Sequence, residues 1–197
     1  FGCQGHGWSN LQSVHVNLPF TGDREFGKLH AAIRLVLPIL PALAASSPLV
    51  EGRATGVLDS RLAAYRRNQR LIPSITGSVV PERVFTRAEY EDRIFRPIAA
   101  DLTRIDPDGV LEPEWVNSRG AIARFVRDSI EIRVIDAQES STADVAVAAA
   151  AVAAVRALVD ETWVSTAELC EWHECRLEPL FTAATESAGA TVVKDAD

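Results

Sequence analysis

The segment Ser129-Ile-Glu-Ile-Arg-Val-Ile-Asp136 is the stretch that best indicates how this chain folds. Aliphatic residues alternate along it with Glu131 and Arg133, and an alternation of period two is typical of a β-strand with one buried face. We therefore expect the aliphatic side chains to enter the core. Glu131 and Arg133 should share the opposite face, and Asp136 ends the strand.

A second apolar segment, Ala121-Ile-Ala-Arg-Phe-Val126, lies just upstream and is separated from the first by Arg127-Asp128. Two strands joined by a two-residue turn form a β-hairpin, and this turn would place Arg124 directly opposite Glu131. Residues in such positions contact each other across the two strands. An ion pair of this kind is the structural alternative to a catalytic role for Glu131.

The remaining sequence adds one strand and several helices. Val14-His-Val-Asn-Leu18 also alternates, which places His15 on a polar face with Ser13 and Asn17. The pattern as a whole predicts the α+β class. Apolar spacing, capping residues and alanine content predict helices over residues 25–45, 58–71, 86–102, 143–163 and 166–188, with interruptions at Pro38, Pro41 and Pro97.

The composition indicates a globular protein without a nucleic-acid partner. The chain has 197 residues, of which 47% are hydrophobic and 24% are charged. A single domain over residues 1–197 can therefore bury its own core. The formal net charge is -7, and Lys28 and Lys194 are the two lysines. Binding to nucleic-acid phosphates needs concentrated positive charge, which this sequence lacks.

The sequence also favours a cytoplasmic protein without membrane contact. Three cysteines in a chain of this length do not make a disulfide framework, which favours a reducing compartment. The start lacks the features of a signal peptide, and the longest apolar run, residues 145–155, is too short to span a bilayer. The chain has no methionine and begins in a glycine-rich loop. We therefore expect an upstream portion to precede it.

Charged residues on the predicted strands are the candidates for chemistry. Glu131 could bind a divalent cation through its carboxylate oxygens, and Arg133 could hold a phosphate or carboxylate through its planar guanidinium. The alternative is a solvent-facing strand edge. A lone histidine such as His15 is more often a hydrogen-bonded structural residue than a ligand. Arg53 and Arg61 lie in or just after a polar, irregular segment, which is typical of a binding loop.

The segment Cys170-Glu-Trp-His-Glu-Cys175 offers a separate metal hypothesis. Cys170 and His173 are three residues apart and would share one face of a helix, as zinc ligands could. Cys175 would point elsewhere, and a fourth ligand is not evident. We favour incidental helix residues over a zinc site.

Three motifs occur in a fixed order along the chain. They are Gln12-Ser-Val-His-Val-Asn-Leu18, Ser47-Pro-Leu-Val-Glu-Gly-Arg53 with Gly56 and Arg61, and the strand Ser129–Asp136. Together they resemble the second half of the glutamate–cysteine ligase family, in particular its bacterial carboxylate–amine ligase-like branch. The resemblance covers residues 8–159, and each motif is weak when taken alone.

The resemblance implies a fold and a reaction. The fold would be glutamine-synthetase-like: a curved antiparallel sheet with helices on its outer side, incomplete here at its N-terminus. In the reaction, ATP phosphorylates a carboxylate, and an amine then displaces phosphate to form an amide. Glutamate–cysteine ligase is the best-known case. The partners would be a small carboxylate and a small amine, with an upstream segment of the same protein or a second copy completing the sheet.

The resemblance also assigns roles to residues. It implies that Glu131 and His15 bind Mg²⁺ or Mn²⁺, and that His15 lies near the nucleotide phosphates. Arg133 would contact phosphate and act in catalysis. Arg53 and Arg61 would bind substrate or nucleotide, and Arg53 would also act in catalysis. Such a site would work by positioning and by charge stabilisation.

Three departures from the family pattern leave a second interpretation open. Ser13 stands where many relatives have a histidine, and Asn17 stands where glycine is common. The family's first strand, which carries further metal-binding glutamates, has no counterpart before Phe1. The alternative is therefore a non-catalytic paralogue or regulatory binding module that retains the fold.

Overall fold

The computed structural model describes residues 12–68 and 70–193, so the glycine-rich start and Cys3 lie outside the described residues. Helices and small antiparallel sheets combine in an α+β arrangement. The strands are β1 Ser13–Pro19, β2 Leu49–Val50, β3 Arg53–Ala54, β4 Ala121–Arg124 and β5 Ser129–Asp136. The helices are α1 Gly22–Val36, α2 Leu40–Ala44, α3 Ser60–Asn68, α4 Arg87–Tyr90, α5 Arg96–Leu102, α6 Pro113–Val116, α7 Ser141–Val159, α8 Thr166–Glu171 and α9 Glu174–Ser187.

The main sheet has three antiparallel strands in the order β1-β5-β4. The motif strand β5 is therefore the central strand, not the solvent-facing edge of the alternative interpretation. Its residues Ile130, Ile132 and Ile135 are fully buried. Helices α1 and α2 contact β5, and α7 contacts both α1 and β1, so these helices cover the apolar face of the sheet.

The hairpin of β4 and β5 forms, but its predicted register is wrong. Strand β4 ends at Arg124, and a 3-10 turn over Phe125–Arg127 leads to Asp128, whose φ is 46°. The longer connection shifts the pairing by two residues, so Arg124 lies opposite Ser129 and not opposite Glu131. Because an even shift preserves the side-chain alternation, Arg124 and Glu131 still share a face.

The predicted helices form with small changes at the prolines. Helix α1 begins at Gly22, earlier than predicted, and a 3-10 turn over Leu37–Ile39 separates it from α2. This turn accommodates Pro38, which cannot donate a backbone hydrogen bond. A π-helical turn over Glu91–Phe95 precedes Pro97 in the same way. The chain stays helical on both sides of each interruption.

The predicted capping box at the start of α4 is confirmed. The Thr86 hydroxyl accepts a hydrogen bond from the backbone of Glu89 at 3.2 Å, and the Glu89 carboxylate accepts one from the backbone of Thr86 at 3.1 Å. These two bonds satisfy donors that a helix leaves free at its first turn.

The region predicted as the last helix, residues 166–188, forms two separate helices. Helix α8 ends at Glu171 and α9 begins at Glu174, so Cys170 and His173 do not share a helical face. The His173 ring nitrogen Nε2 lies 2.7 Å from the guanidinium of Arg83, whose Nε donates to the carbonyl of Cys170. The helical geometry behind the zinc hypothesis is therefore absent.

Two helical segments are long and apolar enough to cross a membrane by length and composition alone. They are the 23-residue segment of residues 22–44 and the 19-residue helix α7. The expectation that the second region is too short is therefore wrong, because the helix extends beyond the apolar run at both ends. The first segment is mostly buried in the protein core, whereas α7 is largely exposed.

Candidate functional site

A β-bulge between β1 and β5 gathers charged side chains on one face of the sheet. Val14 lies opposite Ile135 and Val16 lies opposite Ile132, so one residue of β1, His15, faces two residues of β5. The extra residue reverses the alternation of β5 beyond the bulge. Asp136 consequently pairs with Ser13 and comes to the polar face that also carries Glu131.

Glu131 lies at the centre of this face and contacts three cationic or potentially cationic groups. Its Oε1 is 2.9 Å from Nδ1 of His15 and 3.1 Å from Nε of Arg133, and its Oε2 accepts a hydrogen bond from Nε of Arg124 at 3.0 Å. The side chain is almost buried. The hydrogen bond from His15, opposed by burial and assisted by Arg124, lowers the pKa of Glu131 to about 2. Glu131 is therefore ionised at neutral pH.

The contacts of His15 define its tautomer. A carboxylate can only accept hydrogen bonds, so Nδ1 of His15 donates to Glu131. The other ring nitrogen, Nε2, lies 2.8 Å from the hydroxyl of Ser13. In the neutral ring, Nε2 accepts from that hydroxyl, which can rotate to serve as donor or acceptor. Ser13 and Glu131 thus fix the orientation of the ring.

Asp136 anchors a second group of polar residues. Its Oδ1 accepts a hydrogen bond from Nε of Arg61 at 2.8 Å. Its Oδ2 accepts from the backbone of Ser46 at 3.0 Å and from the hydroxyl of Ser47 at 2.7 Å. Arg61 also donates from Nη1 to the carbonyl of Arg133 at 3.4 Å. These bonds connect the loop after α2, the first turn of α3 and the end of β5.

A second buried carboxyl, Asp59, lies beside this group. Its Oδ1 caps α3 by accepting a hydrogen bond from the backbone of Leu62 at 2.8 Å. Burial, and then the negative charge of Asp136, raise the pKa of Asp59 to about 7, and the charge of Arg61 offsets part of this increase. Asp59 can therefore change its charge near neutral pH.

An open cleft of about 540 Å³ lies along the polar face. Its charged lining residues are Arg61, Arg133 and Asp144, with His15 and Tyr65 beside them. Arg61 and Arg133 bring two guanidinium groups to one cavity, an arrangement that suits an anionic ligand with several oxygen atoms. Glu131 forms an ion pair with Arg133, and Asp136 forms an ion pair with Arg61.

The structure brings four of the five predicted site residues together. His15, Arg61 and Arg133 line the cleft, and Glu131 contacts two of them. Arg53 lies elsewhere, exposed on the small hairpin of β2 and β3, and is not part of the cleft lining. The distance of Arg53 from the cleft lining therefore does not support its predicted role in substrate binding and catalysis.

Sequence reasoning did not assign Asp136 or Tyr65 to the site. Asp136 was visible as the last residue of the motif strand, but strict alternation places it on the core face with Ile132. Tyr65 follows Arg61 by four residues, which is one turn of α3, so helical spacing could have paired them. Burial raises the pKa of Tyr65 to about 12, so its hydroxyl stays protonated.

His15 and Glu131 fit two positions of a divalent-cation site. Their atoms Nδ1 and Oε1 are 2.9 Å apart, and neighbouring ligands of an octahedral Mg²⁺ ion are separated by about 3.0 Å when each lies about 2.1 Å from the ion. A metal at Nδ1 requires the ring proton on Nε2, where the Ser13 hydroxyl can accept it. Within residues 12–68 and 70–193, however, no three His, Cys, Asp or Glu side chains form a metal-binding group.

Comparison with known proteins relates this chain to a protein family. The profile of glutamate–cysteine ligase family 2 matches residues 4–197. An uncharacterized protein of Archaeoglobus fulgidus is 44% identical over 161 residues, which are 82% of this chain and 43% of that protein. A Bradyrhizobium sp. (strain BTAi1) protein named "Putative glutamate--cysteine ligase 2" is 36% identical over 138 residues, 68% of this chain and 29% of that protein.

A protein with the same name from a second Bradyrhizobium strain, ORS 278, is 40% identical over 78 residues, 40% of this chain and 17% of that protein. This chain therefore spans less than half the length of the curated relatives it matches.

Proposed function

The chain belongs to glutamate–cysteine ligase family 2, which confirms the resemblance inferred from its three motifs, and we propose that it is part of an ATP-dependent carboxylate–amine ligase. In this reaction a carboxylate oxygen attacks the γ-phosphorus of ATP, and ADP leaves. The amine then attacks the acyl phosphate, and phosphate leaves with one oxygen of the original carboxylate. The products are an amide, ADP, phosphate and a proton.

The cleft with two guanidinium groups is the observation that carries this proposal. Both the nucleotide and the acyl phosphate carry negative oxygens, which Arg61 and Arg133 can bind. The proposed role of Arg133 is to stabilise the charge that moves during phosphoryl transfer, an effect of position and electrostatics. Arg61 is proposed to bind substrate or nucleotide beside it.

We propose that His15 and Glu131 hold Mg²⁺ or Mn²⁺ together with oxygens of the nucleotide. The ion would neutralise phosphate charge when bound. The contribution of this chain is to present an ionised carboxylate and an oriented imidazole 2.9 Å apart. Further ligands would come from outside the two residues, since the described part of the chain offers no third protein ligand beside them.

The cleft lining also contains a residue that could bind the amine substrate. Asp144 is the one carboxylate among the described lining residues, and one of its oxygens accepts a hydrogen bond from the backbone of Gln138 at 2.8 Å. Its negative charge would attract the ammonium form of a small amine. The cleft would therefore place cationic and anionic substrate groups near each other.

We further propose that the three strands belong to a larger, curved, glutamine-synthetase-like sheet. Strand β1 is an edge strand among the described residues, and its polar face carries Ser13, His15 and Asn17. An exposed edge of this kind is usually covered. An upstream segment of the same protein, or a second copy, would pair with it in the cytoplasm.

Oxygen-isotope transfer tests the proposed reaction. The protein, with any upstream segment encoded with it, is incubated with ATP, Mg²⁺, an amine and an acid labelled with ¹⁸O in its carboxylate. An acyl-phosphate route transfers one ¹⁸O atom to the released phosphate, as measured by mass spectrometry or ³¹P NMR. Release of unlabelled phosphate in the presence of amide would exclude the route.

The second candidate function is a binding module without turnover. Two observations favour it: the described residues place no third His, Cys, Asp or Glu beside His15 and Glu131, and Ser13 stands where the family resemblance implies a histidine. Such a module would bind Mg–ATP or the acid without forming amide under any substrate pair. For residues 1–197 alone we expect weak Mg–ATP binding, and micromolar affinity by calorimetry would show that the site is complete in this chain.

A further inference from the structure

Asp136 holds one cleft residue through contacts from three segments of the chain. It is 3% exposed and accepts hydrogen bonds from Arg61, Ser46 and Ser47. The bulge opposite His15 is what turns Asp136 toward these donors. With both oxygens engaged, the carboxylate fixes the position of Arg61 relative to β5.

Arg61 is left with one unused nitrogen. The residue is 6% exposed, its Nε binds Asp136, and its Nη1 makes a long bond to the carbonyl of Arg133. Its Nη2 is buried and has no hydrogen-bond partner in the described part of the chain. A buried donor without a partner costs about 1–3 kcal/mol, more when charged. The guanidinium of Arg61 therefore has donor capacity that the described residues do not use.

The position of Arg61 distinguishes it from another buried arginine. Arg34 also has a terminal nitrogen, Nη1, without a partner among the described residues. Arg34 is not part of the cleft lining, whereas Arg61 is. An anion in the cleft can therefore reach Arg61 and not Arg34.

Asp136 also balances the positive charge of Arg61. Arg61 and Arg133 both line the cleft, and two guanidinium groups in one site repel each other when no anion is bound. Asp136 offsets the charge of Arg61, as Glu131 offsets that of Arg133. Both arginines of the cleft are thus paired with a carboxylate, and Glu131 is shared with Arg124 and His15.

We infer that Asp136 is a positioning residue, which holds Arg61 so that its guanidinium binds an oxygen of a carboxylate or phosphate in the cleft. Asp136 itself does not touch the ligand. The inference rests on the proposed function in treating the cleft as the substrate site. Its test measures binding alone, so it can succeed or fail independently of ligase turnover.

Titration of the 197-residue chain with two probes tests the inference. Sodium phosphate and sodium succinate are added separately, and the ¹⁵N-labelled arginine side-chain signals are followed by NMR. We expect at least one probe to shift the Arg61 signal with millimolar affinity. The probe that binds more tightly identifies phosphate or carboxylate as the preferred group.

Variants separate positioning from direct contact. Arg61→Ala and Asp136→Asn should each weaken binding of the preferred probe at least tenfold, and the double variant should be no weaker than Arg61→Ala. Non-additivity of this kind is expected when one residue acts only through the other. Arg67→Ala, which removes an exposed charge from the same helix, is the matched control and should leave the affinity unchanged.

Three results would overturn the inference: wild-type protein that binds neither probe, Asp136→Asn with unchanged affinity, or losses that multiply in the double variant. If Asp136→Asn does not fold, Ser47→Ala replaces it, since this variant removes one hydrogen bond to Asp136 and keeps the charge. We then expect a smaller, severalfold loss of affinity that disappears in the Arg61→Ala background. If Ser47→Ala weakens binding by the same factor in the Arg61→Ala background as in wild type, the inference is also overturned.

Discussion

The surroundings of Arg119 and Arg61 show how one type of buried ion pair can serve two purposes. Arg119 is 3% exposed, and its Nε and Nη2 donate to the two oxygens of Glu82, each at 2.6 Å. Its Nη1 donates to the carbonyl of Ser74 and to the side chain of Asn117. Arg61 is similarly buried, but its carboxylate partner engages only Nε.

The difference lies in how completely each guanidinium is satisfied. Every nitrogen of Arg119 has a protein partner, so the guanidinium joins segments of the protein. Arg61 retains an unpartnered nitrogen and lines the cleft. A saturated buried arginine thus indicates structure, and an unsaturated one at a cavity indicates binding.

Replacing Arg119 by methionine should have the largest effect on stability. The variant leaves Glu82 and several polar groups without their partner, and breaking a buried pair typically costs about 3–5 kcal/mol of unfolding free energy. Urea denaturation measures this loss. Phosphate or succinate affinity of the folded variant should stay unchanged. A loss below about 1 kcal/mol would contradict the structural role of Arg119.

Replacing Arg133 by lysine should act on turnover and not on stability. Lysine keeps the charge and loses the planar, two-pronged contact. We expect a loss of about 2–4 kcal/mol of transition-state stabilisation in the proposed ligase reaction, the scale of one lost electrostatic donor. Steady-state kinetics measure it, with thermal unfolding as the control. An unchanged rate would mean that Arg133 does not contact the reacting groups.

Replacing Asp59 by asparagine should remove a pH dependence near neutrality. Because the pKa of Asp59 is raised from 3.8 to about 7, the folded state holds its proton more tightly than the unfolded state. The stabilisation is complete below pH 3.8 and is lost as pH rises through about 7. Asparagine can still cap α3 but does not titrate, so urea midpoints of the variant should lose this slope.

Replacing Glu131 by glutamine should remove a pH dependence of the opposite sign. The pKa of Glu131 is lowered from 4.5 to about 2. Its stabilisation is therefore present above pH 4.5 and is lost as pH falls through about 2, by on the order of 1–2 kcal/mol. Thermal unfolding between pH 2 and pH 5 should depend less steeply on pH in the variant than in wild type. The variant should also lose amide formation with Mg²⁺, and retained turnover would exclude Glu131 as a metal ligand.

Replacing Arg53 by alanine should have the smallest effect. Arg53 is exposed on the β2–β3 hairpin, so its removal should change stability by less than about 0.5 kcal/mol. We expect turnover to fall far less than in the Arg133 variant. A loss of tenfold or more would instead support the catalytic role that the family resemblance implies for Arg53.

Local patterns in the sequence determined much of the fold. Alternation along β5 identified its apolar face, since burial on one side of a strand selects every second residue. Thr86 and Glu89 identified the start of α4 because a capping box depends only on residues three apart. The prolines located the interruptions for a similar reason, as each affects only its own turn.

The candidate site was predicted in part. His15, Glu131 and Arg133 were identified because polar residues stand out on otherwise apolar strands, and in the structure His15 and Arg133 both contact Oε1 of Glu131. Arg53 was grouped with them because it lies in a polar loop, but a loop's position depends on what it packs against. The position of Arg53 away from the cleft therefore depends on residues distant in sequence.

The tertiary structure alone decided which face Asp136 occupies. The sequence shows a strand that ends in an acid, and alternation places that acid on the core face. Pairing with β1 introduces the bulge opposite His15, and the extra residue turns Asp136 toward Arg61, which lies 75 residues away along the chain. A side chain's face follows from local alternation only while the strand stays regular. Where a distant partner strand changes the register, only the assembled sheet determines it.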